Sequence, residues 1–163
     1  MIITIKDEKN RFGVRAAAII YNEDMTKVFL QRQGNLEFYM FPGGRLEIHE
    51  DAESAIKREL EEELGINEEV YLKFISESFV AFPGKNYHEI GFYFIVKINE
   101  EKYKYYSNEE YDSKDEANDG KSKFRWVNKE EIRNIEIMPK IMCEKLFKDN
   151  DSKEIEHIVY REY

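Results

Sequence analysis

One cysteine, Cys143, stands alone in 163 residues, so no disulfide can close within the chain. A secreted scaffold held by cystines is excluded. Three prolines and eight glycines are too few for a linker or a repetitive fibrous segment. Basic residues are short as well, 25 against 34 acids, for a formal net charge of -9. Such a chain is repelled by nucleic acid and by anionic membrane, and neither is an expected partner. A small anionic substrate would need cations to offset that field. His49, His88 and His157 lie far apart and make no zinc pattern with Cys143. The longest apolar run, Ala16 to Tyr21, falls well short of the ~20 residues that span a bilayer. Met1 to Lys6 lacks the charged start and apolar core of a signal peptide, so the cytoplasm is the expected compartment.

What is present is a globular composition, 42% apolar and 36% charged. A single domain over residues 1–163 is expected, with length enough for a core. Ile3 and Ile5 alternate with polar residues as a short strand. Val14–Tyr21 and Lys27–Arg32 read as strands of a hairpin across Asn22-Glu23-Asp24. Arg32, at the end of the second strand, is a candidate to face an anionic ligand. A short aromatic stretch, Phe38–Phe41, leads into a turn at Pro42-Gly43-Gly44. Val70–Val80 and Tyr87–Ile98 form a second hairpin. Asn99–Lys123 is polar and reads as a long loop whose tyrosines, Tyr103, Tyr105, Tyr106 and Tyr111, pack back on the domain or stack on a base. Phe124–Val127 is a strand, and helices are expected at Lys129–Asn134 and Pro139–Lys148. Ile155–Tyr160 is strand-like again. The order is mixed rather than regularly alternating, which argues against a simple parallel doubly wound sheet.

The most informative stretch follows Gly44. No Gly or Pro interrupts Arg45 to Leu64, and Gly65 ends the run. A helix over about Ala52–Leu64 is expected, with Glu50 or Asp51 at its cap. At about 100° per residue, Glu62 and Glu63 fall within about 60° of Glu59, beside Ala52 and Ala55. Leu60 and Leu64 continue the apolar stripe, while Glu61 points the other way. Three carboxylates at i, i+3 and i+4 repel one another, and a hard divalent cation would relieve the repulsion.

The residues Gly44, Glu50, Arg58, Glu59, Leu60, Glu62, Glu63, Gly65 and Ile66 fall in the spacing of the Nudix box. The stretch therefore resembles that family, as does the preceding Phe41-Pro42-Gly43. The resemblance implies an α/β fold, an α/β/α sandwich around a mixed β-sheet. It implies a hydrolase that cleaves the diphosphate linkage of a nucleoside diphosphate joined to another moiety. Nucleoside triphosphates and nucleotide sugars both stay open as substrates. The implied cofactor is Mg²⁺, with Mn²⁺ as a substitute, held by Glu59, Glu62, Glu63 and Gly43. It would bridge phosphate oxygens and acidify a water for attack on phosphorus. Glu62 or Glu63 is the candidate base, and Arg58 holds a box carboxylate by ion pairing. Glu50 supports the loop or pairs with Arg58. Gly43 and Gly44 let the backbone approach substrate or metal. Family members that use a carboxylate from a later loop make Glu110, Asp115 and Glu116 further candidates, although Lys121 and Lys123 stand where many carry an acid. His49 replaces a common glycine. His88-Glu89 resembles a subgroup motif, against the simpler reading of one side chain on each face of a strand. The rival readings are a nucleotide-sensing module without activity and a structural or partner-binding protein. A homodimer is left open.

Overall fold

The apolar alternation of the N-terminal half makes the centre of the sheet. The structure is a computed structural model and describes residues 1–105, 109–114, 121–148 and 152–163. Its strands are β1 (Thr4–Lys6), β2 (Asn10–Asn22), β3 (Lys27–Gln33), β4 (Gly43–Arg45), β5 (Tyr71–Phe82), β6 (Lys85–Ile98), β7 (Tyr111–Asp112), β8 (Ser122–Asn128) and β9 (Glu156–Glu162). The described strands form one sheet in the order β7-β8-β3-β2-β6-β5-β9, with β1 and β4 also paired to β2. β2 runs parallel to β6, and β5 parallel to β9; the other pairs are antiparallel. The sheet is therefore mixed, as expected.

Side chains alternate between faces along a strand. Ala16, Ala18, Ile20, Phe29, Phe94, Val96 and Trp126 lie on one face beneath α1 (Ala52–Leu64), which buries Ala55, Ile56, Leu60 and Leu64 there. Ala17, Ile19, Tyr21, Leu30, Phe41, Phe74 and Tyr93 lie on the other, covered by Ile132, Ile137, Met142 and Leu146. These are the three layers of the sandwich.

Helix α1 starts and stops where its sequence directs. The Asp51 side chain accepts from the Ser54 amide at 2.9 Å and caps the first turn. Gly65 takes φ 64° at the C-terminal end, and its amide bonds to the Glu61 carbonyl at 2.9 Å.

Three expectations are corrected. Gly43 and Gly44 are not simply a turn: they form β4, paired with Ala17 and Ala16. Gly43 sits at φ 141°, and a Cβ there would lie 2.2 Å from the Ala16 carbonyl oxygen. Only glycine lets the backbones close to pairing distance. The two helices expected after β8 are 3₁₀ turns, Glu131–Asn134 and Lys140–Glu144. The chain between them is drawn back to the sheet, where Tyr39 bridges Ile137 and its amide binds the Glu136 carbonyl at 2.8 Å. Neither piece is then long enough to repay helix nucleation. The stretch read as a long loop contains a single-turn helix, α2 (Glu100–Tyr103), and β7. Its tyrosines pack inward: Tyr105 lies 5.1 Å from the Phe29 ring and Tyr111 5.0 Å from Tyr105. Tyr106, Asp115 and Glu116 lie outside the described residues. Among the described residues, no helix is long and apolar enough to cross a membrane.

Candidate functional site

Helix α1 presents its acids at graded depth. Glu63 is buried, Glu59 is largely buried, the Glu62 side chain is 53% exposed, and Glu61 faces solvent. The helical phase read from the sequence accounts for this order. Glu63 belongs to the buried side with Leu60 and Leu64, while Glu61 lies opposite Glu59.

Arg58 gathers the carboxylates. Its Nε and Nη2 donate to the two Glu50 oxygens at 2.7 and 3.0 Å, and Nη1 donates to Glu59 at 2.8 Å and to Glu62 at 3.3 Å. Two parallel bonds to one carboxylate fix its plane, which a lysine would not do. The Arg58 hydrogen bonds hold the Glu50 carboxyl below its ordinary range, against the opposing effect of burial. The Glu50 bonds likewise push Arg58 up. Glu50 Oε2 also accepts from the Glu47 amide at 2.9 Å, so both expected roles of Glu50 are present. Among the described residues, no group of three His, Cys, Asp or Glu side chains stands at metal-holding spacing.

Gly44 explains how Glu59 is seated. A Cβ on Gly44 would fall 2.1 Å from Glu59 Oε1 and 2.3 Å from its Cδ. The carboxylate rests against bare backbone, one residue from the Gly43 carbonyl. That carbonyl and the one at Phe41 accept from Arg15 Nη2 at 3.3 and 2.6 Å. Sequence reading missed Arg15, because nothing in a strand's alternation says which loop an arginine will reach. His49 in the same loop sits at φ 69°, the left-handed region that glycine adopts without strain.

At the far end of the helix, the Lys114 amide binds the Glu63 carbonyl at 2.7 Å, and Tyr105 Oη donates to the Leu64 carbonyl at 2.6 Å. The segment after α2 is thus moored to the box helix. Arg32 does not stand alone at the end of β3. Its Nη2 meets Glu110 Oε1 at 2.9 Å, and its guanidinium lies 5.8 Å from the Tyr39 ring. Two sequence candidates from distant positions are paired there. On the sheet face turned away from α1, Arg45 Nη2 approaches Glu89 Oε2 at 3.8 Å. Burial, and then Arg11, lower the Arg45 guanidinium against the pull of Glu89. His88 and Glu89 take opposite faces, with His88 stacked on Phe79 at 4.3 Å.

Comparison with known proteins bears on the family and the fold. The model of the NUDIX domain family matches residues 11–145. An 8-oxo-dGTP diphosphatase of Haemophilus influenzae is 41% identical over 91 residues, 52% of this chain and 61% of that protein. The chain thus spans less than two thirds of that relative. The mutator MutT protein of Bacillus halodurans is similar in structure, with a TM-score of 0.59 at 18% identity over 91% of this chain and 90% of that one. The MutT protein of Methanosarcina mazei Go1 gives 0.58 at 21% identity over 90% and 100%. At such identities these two likenesses speak for the fold.

Proposed function

The chain belongs to the Nudix family, and we propose that it hydrolyses the diphosphate linkage of a nucleoside diphosphate joined to another moiety, with nucleoside triphosphates as the first substrates to try. The observation that carries this reading is the seating of Glu59 against Gly44, with Glu62 and Glu63 on the same side of α1. The relative of 41% identity, an 8-oxo-dGTP diphosphatase, supports the choice of triphosphates. Nucleotide sugars remain within the same chemistry.

The donor set suits a divalent cation by its chemistry, although its side chains do not stand at metal-holding spacing in the structure. Glu59, Glu62, Glu63 and the Gly43 carbonyl are hard oxygens, which suit Mg²⁺ or Mn²⁺ and not zinc. Such a cation, when bound, supplies charge neutralisation at phosphate oxygens and a more acidic water. The protein's own groups do the rest. Arg58 holds Glu59 and Glu62 at a common guanidinium and is itself anchored on Glu50. Glu63 carries its carboxyl group into the protein, where a bound cation would be weakly screened by water. Glu62 is open to solvent, which supports it, with Glu63 as the alternative, as the proton acceptor for an attacking water. Gly43 and Gly44 keep side chains out of the path of the diphosphate.

The test is phosphate or pyrophosphate release from a panel of nucleoside triphosphates, 8-oxo-dGTP included, and nucleotide sugars, with Mg²⁺ or chelator. Mg²⁺-dependent turnover of at least one member is expected. Nucleotide binding without turnover of any member would contradict the hydrolase and favour a sensing module.

A further inference from the structure

The chain carries an excess of acid, yet β2 and β4 bring three arginines together. Arg15 and Arg45 are direct cross-strand partners, and Arg11 lies two positions further along the same face of β2. That face, shared with Gly13 and Ala17, is the one opposite α1. Glu89 of β6 is the carboxylate paired to this group, and its 3.8 Å approach to Arg45 is longer than a hydrogen bond. Arg15 Nη2 donates to the neutral carbonyls of Phe41 and Gly43, and Nη1 approaches Met40 Sδ at 3.9 Å, none of which cancels its charge. Arg45 Nη1 is buried and has no hydrogen-bond partner among the described residues. It lies where a Gly13 Cβ would be, 1.7 Å from that position. Three guanidiniums and one carboxylate leave two positive charges uncompensated within the group. A partly buried excess of one sign is costly until a counter-ion arrives. This one adjoins Gly43, the neighbour of the glycine that seats Glu59.

We propose that Arg15 and Arg45, with Arg11 beside them, bind a phosphate group of the substrate on the sheet face opposite the box helix. The assignment to substrate rests on the reading of the chain as a nucleotide hydrolase; the anion site itself does not. A guanidinium pair offers the planar, forked donors that match phosphate oxygens. The ligand would then be gripped on one side of β4 by arginine and presented on the other to the carboxylates.

The test is calorimetric titration of the chelated protein with inorganic phosphate at low ionic strength. Without divalent metal the box acids cannot recruit the anion, so turnover and phosphate binding are read separately. One saturable site is expected. Arg15→Gln and Arg45→Gln should each weaken it about tenfold or more. Gly13→Ala keeps every charge but fills the seat of Arg45, and it should weaken binding as well. Glu89→Gln should tighten it, an effect that a purely structural ion pair would not give. Lys97→Gln removes an exposed positive charge elsewhere on β6 and should change nothing. Competition by dGMP is expected if the site serves a nucleotide substrate. Absence of saturable binding, or unchanged affinity in both arginine variants, would overturn the site. Binding that dGMP does not displace would overturn its assignment to substrate. Phosphate binding as predicted with no turnover of any panel member would sink the hydrolase and leave the anion site standing.

Discussion

The two sides of β4 carry opposite charge. On the α1 side, Gly44 meets the Glu59 carboxylate, and Glu62 and Glu63 follow on the same helix. On the other side, Arg45 lies over Gly13 beside Arg15. The acids share one arginine, Arg58, which bonds to Glu50, Glu59 and Glu62 and holds them in place while leaving a net negative charge. Among the described residues, the arginines have only a distant Glu89 as carboxylate partner. Both sides keep a surplus, and the difference lies in the brace: a guanidinium at hydrogen-bond distance holds the acids, whereas the carboxylate beside the arginines stands off at 3.8 Å. Strand alternation makes this segregation possible, because adjacent residues of β4 must face opposite ways. An anionic substrate with a cation offers what both sides lack.

The largest effects should come from neutralising the acid side. Glu62→Gln and Glu63→Gln keep size and remove charge, and kcat should fall roughly a hundredfold or more in each. Both variants should stay folded, and without metal their melting temperature should hold or rise, since repulsion around Glu59 is relieved. Steady-state kinetics and melting with and without Mg²⁺ check this. Variants that turn over at the wild-type rate and still gain stability from Mg²⁺ would break the acid side of the comparison.

Gly44→Ala attacks the seat rather than the charge. Its Cβ would displace the Glu59 carboxylate, the mobile end of a side chain, so the fold should survive. A misplacement of about 1 Å at such a site costs up to about a hundredfold in rate. A fully active, folded Gly44→Ala variant would show that the position of Glu59 is not critical.

Arg58→Gln sharpens the comparison through stability. Releasing Glu50 and Glu59 from a partly buried guanidinium should cost about 2 kcal/mol at neutral pH. The sign with pH follows from Glu50, whose carboxyl is lowered in the folded state by Arg58. Its contribution is present above the ordinary carboxylate value of about 4.3 and is lost as pH falls through the folded value. Urea unfolding should therefore separate wild type from variant at pH 7, with the gap closing in acid. A gap that widens in acid would show that another group dominates. The smallest effect is expected for His49→Gly. Relief at φ 69° and the added freedom of the unfolded chain nearly offset, so stability should change by less than about 1 kcal/mol. A larger loss, by thermal melting, would show that the imidazole itself holds the loop.

Much of this site was legible because it is local. Helix α1, its Asp51 cap, its Gly65 end and the phase of Glu59, Glu62 and Glu63 follow from spacing within one helix. The pairing of β2 with β3 and of β5 with β6 was legible for the same reason: the turns join neighbours. Long-range features were not. Arg15 reaching Phe41 and Gly43, and Arg32 meeting Glu110 across 78 residues, depend on how the sheet closes. The 3₁₀ turns after β8 were misread because helix-like composition at Pro139–Lys148 competes with the pull of Tyr39 on Ile137 and Glu136, which sequence does not display. His88 and Glu89 were legible as a two-faced strand pair, but not the arginines that Glu89 would meet.

The most direct test of the account is Mg²⁺-dependent turnover on the best panel substrate, in wild type, Glu61→Gln and Glu63→Gln prepared side by side. Glu61 and Glu63 are two residues apart on one helix, one exposed and one buried beside the box cluster. Wild type and Glu61→Gln should be inactive after exhaustive chelation and recover equally with Mg²⁺, while Glu63→Gln recovers roughly a hundredth of that rate or less. Full activity after chelation, or equal losses in the two variants, would contradict the assignment of the inward-facing glutamates as the metal-assisted site.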